Sequence, residues 1–299
     1  MKVDKVRGTT LVELLVGMLM FLSGLVAIMS TSVNLKFVAR RERSGIDQNQ
    51  GLSSTMQLLG VDIRLAAQGI RDGIFPAVLI NNNGKLDELI LRREVDPTAM
   101  FVCEEATSGS SVIKVAVTGG VIGTASGGTP VIEGGCDVSS PGNLTLFNSM
   151  QSYRNSRGGS VRAFIYNSVT RTGEFFSYVN EVTSGGTREL RSGASLSNTY
   201  PPRSRVMLIT ENRYRVNAQN QLELVVDEEN ANAEVVLSNI EEFNLRVRDI
   251  ADNNFNEWIT SNPWREIRVI RVNLATRKSV LNQTVIKRTN SQFSIRNIY

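Results

Sequence analysis

Apolar residues are spread unevenly along this chain. Residues 14–29 follow one another without a charge, and back to Thr9 the run is 21 residues long, interrupted only by Glu13. At about 1.5 Å per residue a helix of that length spans roughly 31 Å, close to the hydrocarbon thickness of a bilayer. Farther on, Leu52, Met56, Leu59, Ile63, Ala66 and Ile70 recur at three- and four-residue spacing, with Gln57, Arg64 and Gln68 on the other side. This rhythm predicts one buried stripe of an amphipathic helix. The apolar run and the stripe read as successive parts of one long helix, which Gly45, Gly51 and Gly60 weaken and which has its expected weak point near Ser44 and Gly45.

After Gly69 the pattern shortens. Strand-like runs are predicted at 88–91, 112–117, 143–147, 161–166, 175–179, 205–210, 213–216, 222–226, 243–248, 267–274 and 293–298, with turns at 81–84, 218–220 and 252–254. No helical pattern alternates with these strands, which disfavours a parallel α/β sheet. The expected fold class is α+β: a long N-terminal helix, membrane-spanning in its first half, packed on antiparallel sheet. Residues 107–142 are rich in Gly, Ser and Thr and read as a long, partly irregular excursion.

Composition then narrows the function. The 299 residues contain no His and two Cys, with 33 basic and 29 acidic side chains for a net charge of +4. Without His there is no imidazole base, no imidazole metal ligand and no Ser-His or Cys-His dyad. Two thiols do not make a tetrahedral zinc site. An enzyme, a bound metal and a cofactor are therefore not expected. The excess of positive charge is too small and too dispersed to argue for nucleic acid.

Glu13 is the anomaly in the apolar run. A carboxylate at the centre of a span costs up to ~2.5–3.5 kcal/mol, and less near its end. A secretory signal or a plain single-pass anchor leaves that acid unexplained. A cut between Gly8 and Thr9 would supply a partner, because it creates an α-amino group four residues upstream. Charge counting does not fix the topology: Lys2, Lys5 and Arg7 precede the span, and Lys36, Arg40, Arg41 and Arg43 follow it.

The stretch Arg7-Gly8-Thr9-Thr10-Leu11-Val12-Glu13-Leu14-Leu15 strongly resembles the class III signal of type IV pilins and pseudopilins. The resemblance implies cleavage after Gly8 by a prepilin peptidase, a mature chain starting at Thr9, and Glu13 as the carboxylate that pairs with a neighbouring subunit's amino terminus during assembly. The family usually begins its mature chain with Phe, often N-methylated. Thr9 departs from that, which bears on N-methylation at Thr9 and not on cleavage. The chain then divides into a leader (1–8), a transmembrane and assembly helix (9–30), an amphipathic continuation (31–70) and a β-rich head (71–299), a pilin-like fold with an enlarged head. Asp62-Ile63-Arg64-Leu65-Ala66-Ala67, the run from Ser238 to Arg248, the run from Trp264 to Leu274 and Phe293-Ser294-Ile295-Arg296-Asn297 resemble PilW-type minor pilins. The J-type minor pseudopilins of type II secretion share the style of this tail but are usually shorter. The implied role is a minor pilin in pilus assembly, at the initiation complex or the tip. Its implied partners are the peptidase, other minor and major pilins and the inner-membrane assembly platform, with membrane lipid before assembly. The implied location is the inner membrane with the head in the periplasm, then the filament at the cell surface. A pseudopilin and a membrane-tethered adhesin are the alternatives.

With the head outside the cytoplasm, a Cys103–Cys136 disulfide is expected. It would close a loop of about 33 residues, worth roughly 3–4 kcal/mol in the chain-entropy model; two buried free thiols are the alternative. Within the helix, Ser23 and Ala27 form a small-xxx-small pair, with Gly24 beside them and Gly17 seven residues earlier, a pattern either of close helix contact or of ordinary membrane-helix composition. Other motifs are bland. Ser111-Val112-Ile113-Lys114 matches S-x-x-K but lies in a strand-like run without a companion K-T-G. Asp252, Asn254 and Asn256 imitate the start of a calcium loop, but Glu257 stands at its Gly position and Pro263 at its final Glu position. Trp258 and Trp264 read as packing residues.

Overall fold

A computed structural model describes residues 11–70, 75–95, 100–116, 122–124, 130–132, 141–184, 187–227, 233–250, 254–257, 264–280 and 283–295. One helix, α1 (Leu11–Leu65), runs unbroken through Ser44 and Gly45. It is followed by β1 (Val78–Asn81), β2 (Glu88–Glu94), β3 (Met100–Val102), β4 (Val112–Ala116), β5 (Ile122–Thr124) and β6 (Pro130–Ile132). Next come a second helix, α2 (Pro141–Ser156), then β7 (Val161–Asn167), β8 (Thr172–Ser184), β9 (Thr187–Ser192) and β10 (Arg205–Val216). The chain ends in β11 (Leu222–Val226), β12 (Glu234–Leu237), β13 (Ile240–Asp249), β14 (Ile267–Val280) and β15 (Gln283–Ser294). The strand ladders are antiparallel throughout, so the described protein is α+β.

The stripe packs as its spacing predicts. Leu52, Met56, Leu59, Ile63, Ala66 and Ile70 are all buried, in one cluster with Phe243, Leu245, Ile270, Val272, Leu274 and Phe293 of the three-stranded sheet β13-β14-β15. The same cluster takes in Val78 and Ile80 of β1 and Leu89 and Leu91 of β2. At the end of α1 the chain turns through Ala67 (φ 65°) and Gly69 (φ 79°). Residues 67 and 68 then hydrogen-bond to β2, Ala67 N to Arg92 O and Glu94 N to Gln68 O. A Cβ on Gly69 would lie 2.6 Å from the Glu94 side chain, so glycine is needed there for both conformation and space.

β10 organises the rest. Its first residues pair with β7 (Val206 with Ile165) and with β3 (Arg205 with Phe101). The further pairings β3–β4, β4–β9, β9–β8 and β8–β7 close these six strands into a ring. The ring and its flanking segments share a second core, with Met100, Ile113, Val115, Ile165, Tyr178 and Leu190 among its buried residues and Phe147 and Met150 contributed by α2. The later residues of β10 leave the ring and pair with β2 and β11, reaching the helix-side core. Closure satisfies the backbone groups that an open sheet would leave at its edges.

Several strand predictions need correction. Residues 143–147 lie in α2, not in a strand. The runs 205–210 and 213–216 are one strand, β10. The last predicted strand begins ten residues earlier, at Gln283, and residues 296–298 lie outside the described residues.

Candidate functional site

The feature that needs a function is the first half of α1. Every side chain described between residues 11 and 43 is exposed, and burial begins at Ser44. The exposed set includes Leu11 at 81%, Phe21 at 69% and Ile28 at 71%, and large apolar side chains continue to Val38. Burying such a side chain is worth roughly 1.5–3 kcal/mol, and soluble monomers seldom show contiguous apolar patches above a few hundred Å². By length and composition α1 is one helix near the N-terminus that is long and apolar enough to cross a membrane.

Glu13 stands in the first turn of α1 with its side chain exposed. A carboxylate there suits the partial positive charge of a helix N-terminus. Gly8 and Thr9, the expected cleavage residues, lie outside the described residues. Among the described residues, nothing outside their own stretch of helix lies within 4 Å of the position a Cβ would take on Gly17 or Gly24. Gly51 and Gly60 differ: a Cβ on Gly51 would lie 2.9 Å from Leu237 Cδ1, and one on Gly60 would overlap the ring of Phe293. Two of the glycines read from sequence as weakening the helix, at 51 and 60, are thus places where a head side chain occupies the space a Cβ would need.

Polar side chains hold the anchored half in place. Asp62 accepts hydrogen bonds from Tyr214 Oη at 2.6 Å and Asn212 Nδ2 at 2.8 Å, which ties α1 to β10. Burial and the neighbouring Asp62 carboxylate push the Tyr214 hydroxyl well above its usual pKa. Asp87 accepts from Leu245 N at 2.7 Å and Asn83 N at 3.0 Å, joining the β1–β2 turn to β13, and burial pushes its carboxyl upward. In β10 the fully buried Glu211 accepts from Arg92 Nε at 2.6 Å, with Arg213 Nη2 at 3.2 Å and Arg162 Nη1 at 3.7 Å. Sequence periodicity gives no sign of the contacts that tie elements together, since Asp62 with Asn212 and Tyr214, Asp87 with Leu245, and Arg92 with Glu211 each join residues more than a hundred positions apart.

The remaining candidates resolve simply. Cys103 is buried and disulfide-bonded; Cys136 lies outside the described residues. Lys114 of the S-x-x-K stretch pairs with Glu104 at 2.5 Å in a regular strand. Asn256 exchanges backbone hydrogen bonds with Val247, and Asp252 and Trp258 lie outside the described residues. Trp264 is a core residue. Among the described residues no three His, Cys, Asp or Glu side chains converge to hold a metal. No family model, no curated protein and no solved structure matches this chain.

Proposed function

We propose that this protein is a structural subunit of the type IV pilin kind, most like a PilW-type minor pilin, whose task is assembly rather than catalysis. The observation that carries the reading is the division of α1: every described side chain from residue 11 to residue 43 exposed, with an apolar run up to residue 29 interrupted by Glu13, and the later part seated in a folded head. The apolar half is held first by lipid and then by the equivalent helices of neighbouring subunits. Glu13 makes that transfer selective. In a helix bundle an unpaired carboxylate is costly, and the cost is removed when a neighbour offers a free α-amino group, created by cleavage after Gly8. Gly17 and Gly24, seven residues apart, have nothing among the described residues of the rest of the chain near the position of a Cβ and leave room for a partner backbone. The head stays outside the cytoplasm, where a bridge from Cys103 to Cys136 persists.

Terminal sequencing of protein extracted from membranes tests the reading directly. A chain beginning at Thr9 in cells with an active prepilin peptidase, and at Met1 in cells without it, is expected; an intact Met1 start in both ends the proposal. Glu13→Ala should leave expression and cleavage unchanged and reduce the number of filaments, counted by electron microscopy.

A further inference from the structure

The basic residues that follow the apolar half of α1 share a level with a second basic group that is remote in sequence. Lys287 of β15 packs beside Gly45, with its Cε 3.8 Å from the position of a Cβ, and Phe293 packs on Gly60. β15 therefore climbs α1 in the same direction: six strand residues cover about 20 Å and fifteen helical residues about 22 Å. Followed back from Lys287 to Gln283, the β14–β15 hairpin descends a further ~13 Å, roughly nine helical residues, to the level of Lys36. Above that tip the hairpin carries Arg277, Lys278, Lys287 and Arg288, at the level of helix residues from about 41 to about 47, so they continue the basic run Lys36, Arg40, Arg41 and Arg43 of the helix.

The acidic residues facing this group are few. Glu241 pairs with Arg277 at 2.7 Å, and Glu242 lies 4.0 Å from Arg288. Glu42 and Asp47 stand on the helix itself. Lys36, Arg40, Arg41, Arg43, Lys278 and Lys287 make no ion pair among the described residues. They begin where the apolar surface ends. Phe37 and Val38 are the last exposed large apolar side chains before Arg40, and Lys36 lies among them with a stem long enough to reach a headgroup. Both flanks of the span are thus basic, against the usual asymmetry of charge across a membrane. The charge on the head side calls for a local partner.

We propose that these residues form a cationic collar that binds the anionic phospholipid headgroups of the leaflet facing the head. The inference rests on the reading of α1 as a membrane helix. Its chemistry is that of a polybasic segment beside a span, with attraction confined to about a Debye length of the surface. The collar differs from a simple juxtamembrane run because half of it belongs to the folded head. Lipid binding therefore fixes the tilt of the head on the bilayer and not only the depth of the helix.

The test uses the full chain, reconstituted with a fluorophore on Thr284→Cys at the exposed start of β15. Vesicles are phosphatidylcholine alone, or with about 30% phosphatidylglycerol, at equal density of a headgroup-linked quencher. Expected is about a twofold rise in quenching with phosphatidylglycerol, abolished by about 0.5 M salt and absent from the variant Arg41→Gln, Arg43→Gln, Lys278→Gln, Lys287→Gln. Equal quenching of the wild-type chain in the two lipids at low salt overturns the collar, and that is also the result if the patch serves an acidic protein face instead. The salt response of the wild-type chain keeps the test independent of how the variant folds. Flotation with neutral vesicles reports the membrane helix separately: a chain that floats with them but shows no lipid-dependent quenching keeps its anchor and loses its collar.

Discussion

Three glycines of α1 lie against the head and differ in what a side chain there would meet. A methyl group on Gly45 would touch Lys287 at 3.8 Å, an ordinary contact, whereas one on Gly60 would run into the Phe293 ring, which is 8% exposed. Gly→Ala in a helix gains about 1 kcal/mol of propensity, and overpacking costs about 1–3 kcal/mol. Gly45→Ala should therefore raise the urea midpoint of the full chain in detergent and Gly60→Ala should lower it; the reverse order would show that β15 does not press on the helix at residue 60. Asp62 allows a second residue-scale check. Asp62→Ala leaves the buried Tyr214 hydroxyl without its acceptor and should cost about 1–3 kcal/mol. A double-mutant cycle with Tyr214→Phe should recover a coupling of that order, and simple additivity would mean that the 2.6 Å contact contributes nothing. None of this was legible in the sequence. A glycine in a helix reads only as a weakness until the ring that needs its space is known.

At the scale of elements the stripe of α1 was the most legible part, because six apolar positions at helical spacing leave little choice of face. The helix α2 occupies a segment whose local pattern points to a strand. Leu144 and Leu146 alternate like a strand, and its Asn and Ser content is poor for helix. The overlooked signal was Pro141 at the first helical position, with Phe147, Met150 and Tyr153 following at intervals of three. α2 is fastened to β8 through Glu181, which accepts from Arg154 Nε at 3.0 Å and Nη2 at 2.9 Å, from Tyr178 Oη at 2.6 Å and from Gln151. Burial alone would push the Glu181 carboxyl upward, but the hydrogen bonds from Arg154, Tyr178 and Gln151 outweigh it and hold it below the usual carboxylate range. The unfolded chain therefore takes up a proton first as the pH falls. The stabilisation is present above the unfolded value of about 4.3 and is lost as the pH drops through the folded one. Urea midpoints measured from pH 7 downward should show a shallower acid decline in Glu181→Gln than in the wild-type chain, and parallel declines would remove Glu181 from the cause. Glu174, also held low, against the effect of its burial, by the backbone N–H groups of Ser197 and Asn198, should leave a residual slope in the variant.

At the scale of the whole molecule the strands were legible but their neighbours were not. A short apolar run after Arg205 marks residues 205–210 as a strand, yet nothing local says that 205–208 pair with 163–166 and 205–206 also with 100–101. The polar pair Glu211 and Asn212 looked like a break in β10, because a carboxylate among guanidinium groups cannot be foreseen from its own segment. Since β10 contributes to both cores, the head should unfold in one transition. Amide exchange in β7 and in β14 should lose protection at the same urea concentration, and separate losses would show two independent units. Glu211→Ala, which leaves Arg92 buried without its carboxylate, should move both together by about 3–5 kcal/mol. The seating of α1 also decides how this molecule carries tension. β15 runs alongside the helix in the same sense, and Asp62 grips β10 from the last turns. A load along the helix axis must therefore slide the whole overlap from Gly45 to Ala66 at once instead of unzipping it from one end, and what passes Asp62 enters a continuous strand that leads into the ring. The head hangs from its helix as a weight hangs from a spliced rope.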